Sequence, residues 1–139
     1  MDKFEHCLNL ELRKANRVLS QIYDSFLSPV GLKTSQFSIL RAIHFLKQTT
    51  NRELQDVLVL DQTSLSRALK PLIRDGYVEV REGSDRRQKQ LQLSTSGKAL
   101  FKEAETLWAE AQNHVSTKLG RAAKDDLLAV SEAVVKLKT

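Results

Sequence analysis

The chain has 139 residues, of which 41% are hydrophobic, which suits one domain with a buried core and leaves little room for a second. No run of about 18 apolar residues could cross a bilayer, the start of the chain is charged, and one cysteine cannot form an intrachain disulfide, so we expect an unprocessed cytoplasmic protein. Residues 61–100 carry eight Lys and Arg against five Asp and Glu, which indicates a polyanionic partner, although a solvated surface of mixed charge would explain this excess equally well.

The first two helices are predicted from apolar residues that recur every three or four positions. The first runs from the start of the chain to about Leu27, where Pro29 and Gly31 end it. The second has Thr34 or Ser35 as its expected cap, because either hydroxyl could accept a hydrogen bond from a free backbone N–H. Its predicted inward face consists of Phe37, Leu40, Ile43 and Leu46.

Two short helices follow, joined by a tight turn. Thr50 and Glu53 fit a capping box at the start of a third helix, in which each side chain accepts from the backbone N–H of the other residue. Residues 59–61 form the turn, and a fourth helix ends near Asp75 and Gly76. This arrangement is a helix-turn-helix candidate. The predicted inward residues are Leu54, Val57 and Leu58 in the third helix and Leu65, Leu69 and Leu72 in the fourth.

The spacing then changes to an alternation of apolar and polar residues. Val78 and Val80 alternate with charged residues, and Leu91 and Leu93 alternate with glutamines. Two short strands are therefore predicted on either side of the polar stretch 82–88. A hairpin directly after a helix-turn-helix is in the position of a wing.

Helical spacing returns at Ser94, whose hydroxyl is expected to cap a fifth helix, and Gly120 separates this helix from a sixth. Phe101, Trp108 and Tyr23 are expected to pack in the core or between two chains, since they follow the helical spacing. The apolar stripes of the terminal helices exceed what one small domain can cover. A second copy related by two-fold symmetry would cover them.

The outer face of the fourth helix carries only hydrogen-bonding side chains. Such a helix fits the major groove of DNA, where arginine can bind the two acceptors of guanine and glutamine can pair with adenine. The alternative is an ordinary solvated helix face, and the capped helix before it and the basic hairpin after it favour DNA. Pro71 is expected to bend the helix behind these residues. The outer residues are Thr63, Arg67, Lys70 and Arg74, flanked by Gln62 and Ser66.

The hairpin tip carries three cations in five residues, Asp85 to Lys89. Arg87 delivered to the narrow minor groove would gain from the negative potential there. Asp85 could hold the Arg87 guanidinium extended through paired hydrogen bonds. The alternative is a solvated turn.

At these residues the chain resembles the MarR family. The resemblance is carried by the run DQTSLSRALKPL at 61–72, by DGYV at 75–78, and by DRR at 85–87, which leads to Leu91, Leu93, Ser94 and Gly97. The order of helices before and after these runs also matches, so the resemblance covers essentially the whole chain.

The resemblance implies a mainly α fold with a small β-hairpin wing, as one domain over residues 1–139. Residues 1–30 and 94–139 would form dimerisation helices, and residues 34–93 a winged helix-turn-helix that binds palindromic double-stranded DNA as a homodimer, as expected of a transcriptional repressor. Relief by a small effector that changes the spacing of the two wings is a further expectation, with hinge-like junctions near Gly76 and Ser94. By position, the DNA contacts would be Gln62, Thr63, Ser64, Ser66, Arg67, Lys70, Arg86 and Arg87, with Asp85 in support.

Three other functions are considered, namely a redox sensor, an enzyme and a winged helix that binds protein. Redox sensing through Cys7 is one, although a small buried hydrophobe is the preferred interpretation of this residue. An enzyme is disfavoured because no catalytic motif is present. A winged helix that binds protein would require an apolar or acidic fourth-helix face. No metal or cofactor is expected, because His6, His44 and His114 lie far apart in sequence.

Overall fold

The structure, a computed structural model, describes residues 5–83 and 88–138. Over these ranges it contains six helices, a short 3-10 turn and a two-stranded antiparallel sheet, in the predicted order. Among the described residues, no helix combines the length and apolar character required to span a membrane. The elements are α1 (Leu8–Leu27), the 3-10 turn (Ser28–Val30), α2 (Thr34–Leu46), α3 (Asn51–Leu58), α4 (Gln62–Arg74), β1 (Val78–Glu82), β2 (Lys89–Leu93), α5 (Thr95–Leu119) and α6 (Arg121–Val135).

The core is built around α2, which contacts α1, α3, α4, α5 and β2. The Phe37 ring stacks with two rings of α5, at centroid distances of 5.6 Å to Phe101 and 5.8 Å to Trp108. Both α5 rings belong to or pack against the core, which confirms that they are packing residues. Tyr23 of α1 donates a hydrogen bond to the Gln112 side chain and so joins α1 to α5.

The two ends of α1 differ from each other in how well they match the prediction. The end near Leu27 is confirmed, because Gly31 adopts φ 71° and its N–H donates to the Ser28 carbonyl at 3.0 Å. The helix begins at Leu8, later than the apolar spacing suggested, and Cys7 stands at its N-cap position. Phe4, the first residue of the predicted stripe, lies outside the described residues.

Neither Thr34 nor Ser35 caps α2, so that prediction is wrong. The N-cap residue is Lys33, whose backbone N–H donates to the Gln36 side-chain oxygen at 3.0 Å. The Thr34 N–H donates instead to a carboxylate oxygen of Asp24, at 2.7 Å. The start of α2 is therefore held by the local Gln36 side chain and by a charged acceptor on α1.

Two residues predicted to face inward are exposed. Leu46 is 38% exposed because α2 ends there, and the buried face of this helix includes Ile39 in its place. Val57 is 57% exposed, since α3 has only eight residues and its buried edge is formed by Leu54 and, partly, Leu58. A helix of two turns buries one narrow edge, so its third apolar residue stays in solvent.

The predicted cap of α3 is confirmed in part. Thr50 is the N-cap residue, and its hydroxyl oxygen accepts from the Glu53 N–H at 3.2 Å. The Glu53 carboxylate does not complete the box by bonding the Thr50 N–H. It accepts instead from the hydroxyls of Thr49 and Thr50, both at 3.4 Å.

The hairpin has the predicted register, with Val78 opposite Leu93 and Val80 opposite Leu91. Strand β2 of this hairpin is also hydrogen-bonded to the segment between α2 and α3. The Thr49 N–H donates to the Leu91 carbonyl at 3.0 Å, and the Leu91 N–H donates back at 2.7 Å. This bridge places the start of α3 beside β2.

The two predicted hinge points, Gly76 and Ser94, are joined to each other. The Ser94 hydroxyl donates to the Gly76 carbonyl at 2.5 Å, and the Ser94 N–H donates to the Tyr77 carbonyl at 3.0 Å. The same hydroxyl oxygen accepts from the Gly97 N–H at 3.0 Å, which confirms the predicted cap of α5. The junction between α4 and α5 is therefore a compact hydrogen-bonded unit.

The terminal helices leave apolar side chains in solvent. Leu8 at the start of α1 is 81% exposed, and Leu128 in α6 is 60% exposed. No residue of α6 is buried in the single chain. Cys7 is also exposed, so its interpretation as a small buried hydrophobe is wrong for the isolated chain, because the residue precedes the first turn of α1 and lies away from the core.

Candidate nucleic-acid interface

The fourth helix presents one buried and one exposed face. Leu65, Leu69 and Leu72 are buried against the core, as predicted. All six predicted contact residues of α4 are exposed, namely Gln62, Thr63, Ser64, Ser66, Arg67 and Lys70. The helical period places Thr63, Arg67 and Lys70 opposite the leucines. Ser64 and Ser66 lie on the two flanks of this face, and Gln62 lies beside the leucine stripe at the start of the helix.

The first turn of α4 is fixed by Asp61. Its carboxylate accepts from the Ser64 N–H at 2.7 Å and from the Ser64 hydroxyl at 3.1 Å. These hydrogen bonds to Ser64 favour the ionised form and lower the pKa of Asp61. Because the Ser64 hydroxyl already donates its hydrogen, Ser64 can offer an outside ligand acceptor sites only.

The turn between α3 and α4 depends on an unusual backbone conformation. Val59 has φ 53° and ψ 49°, the left-handed region that β-branched residues rarely adopt. The Val59 N–H donates to the Gln55 carbonyl, and the Leu60 N–H donates to the same oxygen at 2.9 Å. The left-handed turn at Val59 sets the angle between α3 and α4.

Pro71 lies within α4, and the helix continues past it to Arg74. The ring removes one backbone donor, but the Pro71 carbonyl still accepts from the Asp75 N–H at 2.9 Å. The helix is therefore unbroken at this proline. The exposed contact residues within 62–70 all precede it.

Arg74 extends the cationic side of α4 by one turn. Its Nε donates to an Asp75 carboxylate oxygen at 3.1 Å, and Nη2 donates to the other oxygen at 3.4 Å. This contact raises the pKa of Arg74 above its usual value. The carboxylate therefore orients the guanidinium, which keeps further N–H groups free to donate.

The hairpin strands are described up to Gly83 and from Gln88 onward, where the Gly83 N–H donates to the Gln88 carbonyl at 3.1 Å. Three predicted site residues of the tip, Asp85, Arg86 and Arg87, lie outside the described residues. Lys89, at the start of β2, is exposed at the base of the tip.

A cleft of about 500 Å³ lies between α4 and the hairpin. Its lining includes three cations, Lys70 and Arg74 from α4 and Lys89 from β2, together with Ser66 and Asn51. The sequence did not indicate Asn51, and it predicted Lys89 as a cation of the hairpin tip, whereas Lys89 begins β2 and lines this cleft. The hairpin register places Lys89 opposite Glu82, at the start of β2. The bridge between Thr49 and Leu91 brings Asn51 to the same cleft.

The described residues include no group of three or more His, Cys, Asp or Glu side chains that could hold a metal ion. Two of the three histidines contact aromatic rings. His44 stacks with Phe101 at 4.4 Å between ring centroids, and His114 lies 5.5 Å from Phe26. These two imidazoles thus serve in packing contacts.

Comparison with known proteins agrees with this architecture. The family model described as MarR family matches residues 30–88. The E. coli multiple antibiotic resistance protein MarR is 28% identical over 108 residues, which cover 77% of this chain and 75% of that protein. The M. tuberculosis transcriptional regulator MosR, solved in complex with DNA, has a TM-score of 0.83 and 32% identity, covering 96% of this chain and 100% of that one.

An E. coli MarR variant complexed with operator DNA has a TM-score of 0.82 and 25% identity, covering 91% of this chain and 92% of that one. The match extends from α1 to α6 and includes the helix-turn-helix and the hairpin. The winged helix-turn-helix predicted from the sequence is therefore confirmed. The chain belongs to the MarR family.

Proposed function

We propose that this protein is a transcription regulator that binds double-stranded DNA at an inverted repeat. The observation that carries the proposal is the exposed face of α4, where hydrogen-bonding and cationic side chains stand opposite a fully buried leucine stripe. Such a face matches the edges of base pairs in the major groove. The solved relatives bound to DNA support the same mode of binding.

Within this proposal, the exposed residues of α4 divide by chemistry. Arg67 and Gln62 carry the donors that discriminate bases, because guanidinium and amide groups can bind two positions of one base edge. Thr63, Ser66 and Lys70 bind phosphates or bases at the rim, and Ser64 contributes acceptors. Arg87 contacts the minor groove with Asp85 in support, and Arg86 is a further DNA contact, as the resemblance implies.

The protein acts as a homodimer in this proposal. The exposed apolar residues of α1 and α6 form a hydrophobic surface on each chain. A second copy of the chain would bury this surface. Residues 1–30 and 94–139 would form this interface and residues 34–93 the DNA-binding region. A two-fold dimer places two α4 helices about one duplex turn apart and requires a palindromic site.

The regulator represses by occluding a promoter, and a small effector relieves it. A second cleft, of about 600 Å³, supports this part of the proposal. It lies between α2, β2 and α5, with Leu93 and Phe101 on its apolar side and Lys47 and Lys98 at its edge. Because it joins the base of the hairpin to α5, a ligand there could alter the position of the DNA-binding region.

Selection of bound sites from random duplexes tests the proposal. The expected result is an inverted repeat whose half-sites are centred about 10 base pairs apart. A protein that retains no duplex at low ionic strength, under conditions where it is folded, would contradict it. Retention of unrelated sequences with equal strength would leave DNA binding intact but overturn base recognition.

A further inference from the structure

The cleft between α4 and the hairpin has the properties of a phosphate-binding channel. Lys70 and Arg74 stand one helical turn apart on the wall formed by α4, and Lys89 stands on the opposite wall formed by β2. Ser66 and Asn51 add neutral hydrogen-bonding groups. The lining residues include no aspartate or glutamate in the part of the chain that the structure describes.

The cations of this cleft are available to an outside anion. Among the described residues, neither Lys70 nor Lys89 forms an ion pair, although Glu82 stands opposite Lys89 in the strand register. Arg74 is held by Asp75, which fixes its direction and leaves other N–H groups unused. Three positive charges facing one space are costly unless water or an anion screens them.

The apolar part of the lining also fits a nucleotide chain. Ile73 and Val80 are 39% and 41% exposed and line the same cleft. Exposed apolar groups beside cations match the composition of a sugar-phosphate strand, in which apolar deoxyribose faces alternate with phosphates. A free inorganic anion would use the cations alone.

The geometry of duplex DNA places such a strand here. A major groove and the adjacent minor groove are separated by one sugar-phosphate strand. When α4 lies in the major groove and the hairpin tip reaches the neighbouring minor groove, the strand that divides them must pass between α4 and the hairpin. The cleft occupies that position.

We infer that this cleft is the channel for the dividing strand, and that Arg74 and Lys89, with Asn51 and Ser66, bind its phosphates. The inference rests on the proposed function and adds Arg74, Lys89 and Asn51 to the DNA contacts. These contacts carry no base information, so they set the register of α4 on the duplex and supply salt-dependent affinity.

The test compares an Arg74→Ala/Lys89→Ala double variant with a Lys33→Ala/Lys118→Ala control, whose exposed lysines lie outside both clefts and whose dimeric state is first checked by sedimentation. Affinity for a selected duplex is measured by fluorescence anisotropy over a series of salt concentrations. A dimer carries two clefts, so each cleft substitution removes two contacts. The slope of log affinity against log salt should fall by about two per substitution, with base preference unchanged. The control should keep the slope of the unsubstituted protein.

A second measurement identifies the phosphates themselves. Neutral methylphosphonates replace single phosphates along the duplex, one position at a time. The unsubstituted protein should lose affinity at positions between the groove read by α4 and the next minor groove, and the double variant should lose nothing further there. A charge-keeping Arg74→Lys/Lys89→Arg variant should retain the slope.

The outcomes separate the two proposals. If the unsubstituted protein binds DNA and the cleft variant keeps its slope, the channel is wrong while the proposed function stands. An equal loss in the control variant would also overturn the channel, since total charge would then explain the effect. Absence of DNA binding by the unsubstituted, folded protein would overturn both.

Discussion

The Ser94 hydroxyl lies 2.5 Å from the Gly76 carbonyl oxygen and joins the segment after α4 to the start of α5. The same oxygen caps α5 by accepting from the Gly97 N–H at 3.0 Å. A Cβ on Gly97 would clash with the Tyr77 carbonyl oxygen, so only glycine allows this close approach. Short polar contacts therefore connect the start of α5 to the C-terminal end of α4.

Replacing this hydroxyl should destabilise the protein. Ser94→Ala removes the cap of α5 and one donor to Gly76, and we expect the free energy of unfolding to fall by about 1–2 kcal/mol. Ser94→Thr keeps the hydroxyl and should lose less than half of that. Urea unfolding followed by circular dichroism measures both. The control is Thr117→Ala, which removes an exposed hydroxyl inside α5, away from the cap, and should not lower stability because alanine is the better helix former. Equal stability of the Ser94→Ala variant and the unsubstituted protein would contradict the role of the junction.

Replacing Val59 should stabilise the folded protein by relieving backbone strain. A β-branched residue at φ 53° is strained, whereas asparagine adopts the left-handed region readily. Val59→Asn should raise the free energy of unfolding by about 0.5–1 kcal/mol. The control is Val57→Asn, two residues earlier and within α3, which should lower stability slightly because the partly covered apolar side chain is lost while the helix propensity hardly changes. The prediction fails if both variants shift the urea midpoint in the same direction.

Asp61 should make the stability of α4 pH-dependent. Hydrogen bonds from Ser64 lower the pKa of Asp61 in the folded chain. A depressed folded-state pKa contributes stability above the unfolded value, about 3.9, and this contribution is lost as the pH falls through the folded-state pKa. Thermal melts from pH 7 down to pH 2 should show the advantage over Asp61→Ala disappearing at the acidic end. Asp61→Asn, which keeps an acceptor without a charge, should show no such change. A constant difference between the unsubstituted protein and the Asp61→Ala variant at every pH would count against the assignment.

Substitution of the proposed base-reading arginine, Arg67, and of the proposed minor-groove arginine, Arg87, should affect DNA binding differently. Arg67→Ala should cost about 1–3 kcal/mol of binding and relax discrimination at one base position in each half-site. Arg87→Ala should weaken binding to many sequences alike, because the minor groove offers little base information. Site selection repeated with each variant distinguishes them. An unchanged base preference for Arg67→Ala would mean that its assigned role is wrong.

Features set by neighbours in sequence could be predicted, and those set by distant residues could not. The leucine stripe of α4, the Thr50 cap and the Ser94 cap depend on residues within one or two turns, and the structure contains all three. The acceptor of the Thr34 N–H at the start of α2 was missed because this acceptor, Asp24, is ten residues away on another helix. Local spacing carries no information about such a partner.

The candidate site divides in the same way. The helical period alone places Arg67 and Lys70 on one exposed face. The cleft could not be seen, since Asn51, Arg74 and Lys89 come from three elements that only the folded chain brings together. The exposure of Val57 also depended on how little of α3 the core can cover.

In the proposed complex, two copies of this chain hold two α4 helices one duplex turn apart. A spacing series tests this arrangement, with the selected half-sites kept constant and about 0, 5 or 10 base pairs inserted between them. Sedimentation should give two chains per duplex at the natural spacing, and affinity should fall steeply with about 5 inserted pairs, which turn the half-sites to opposite sides of the helix. One chain per duplex, or an affinity that does not change with spacing, would rule out this dimeric arrangement.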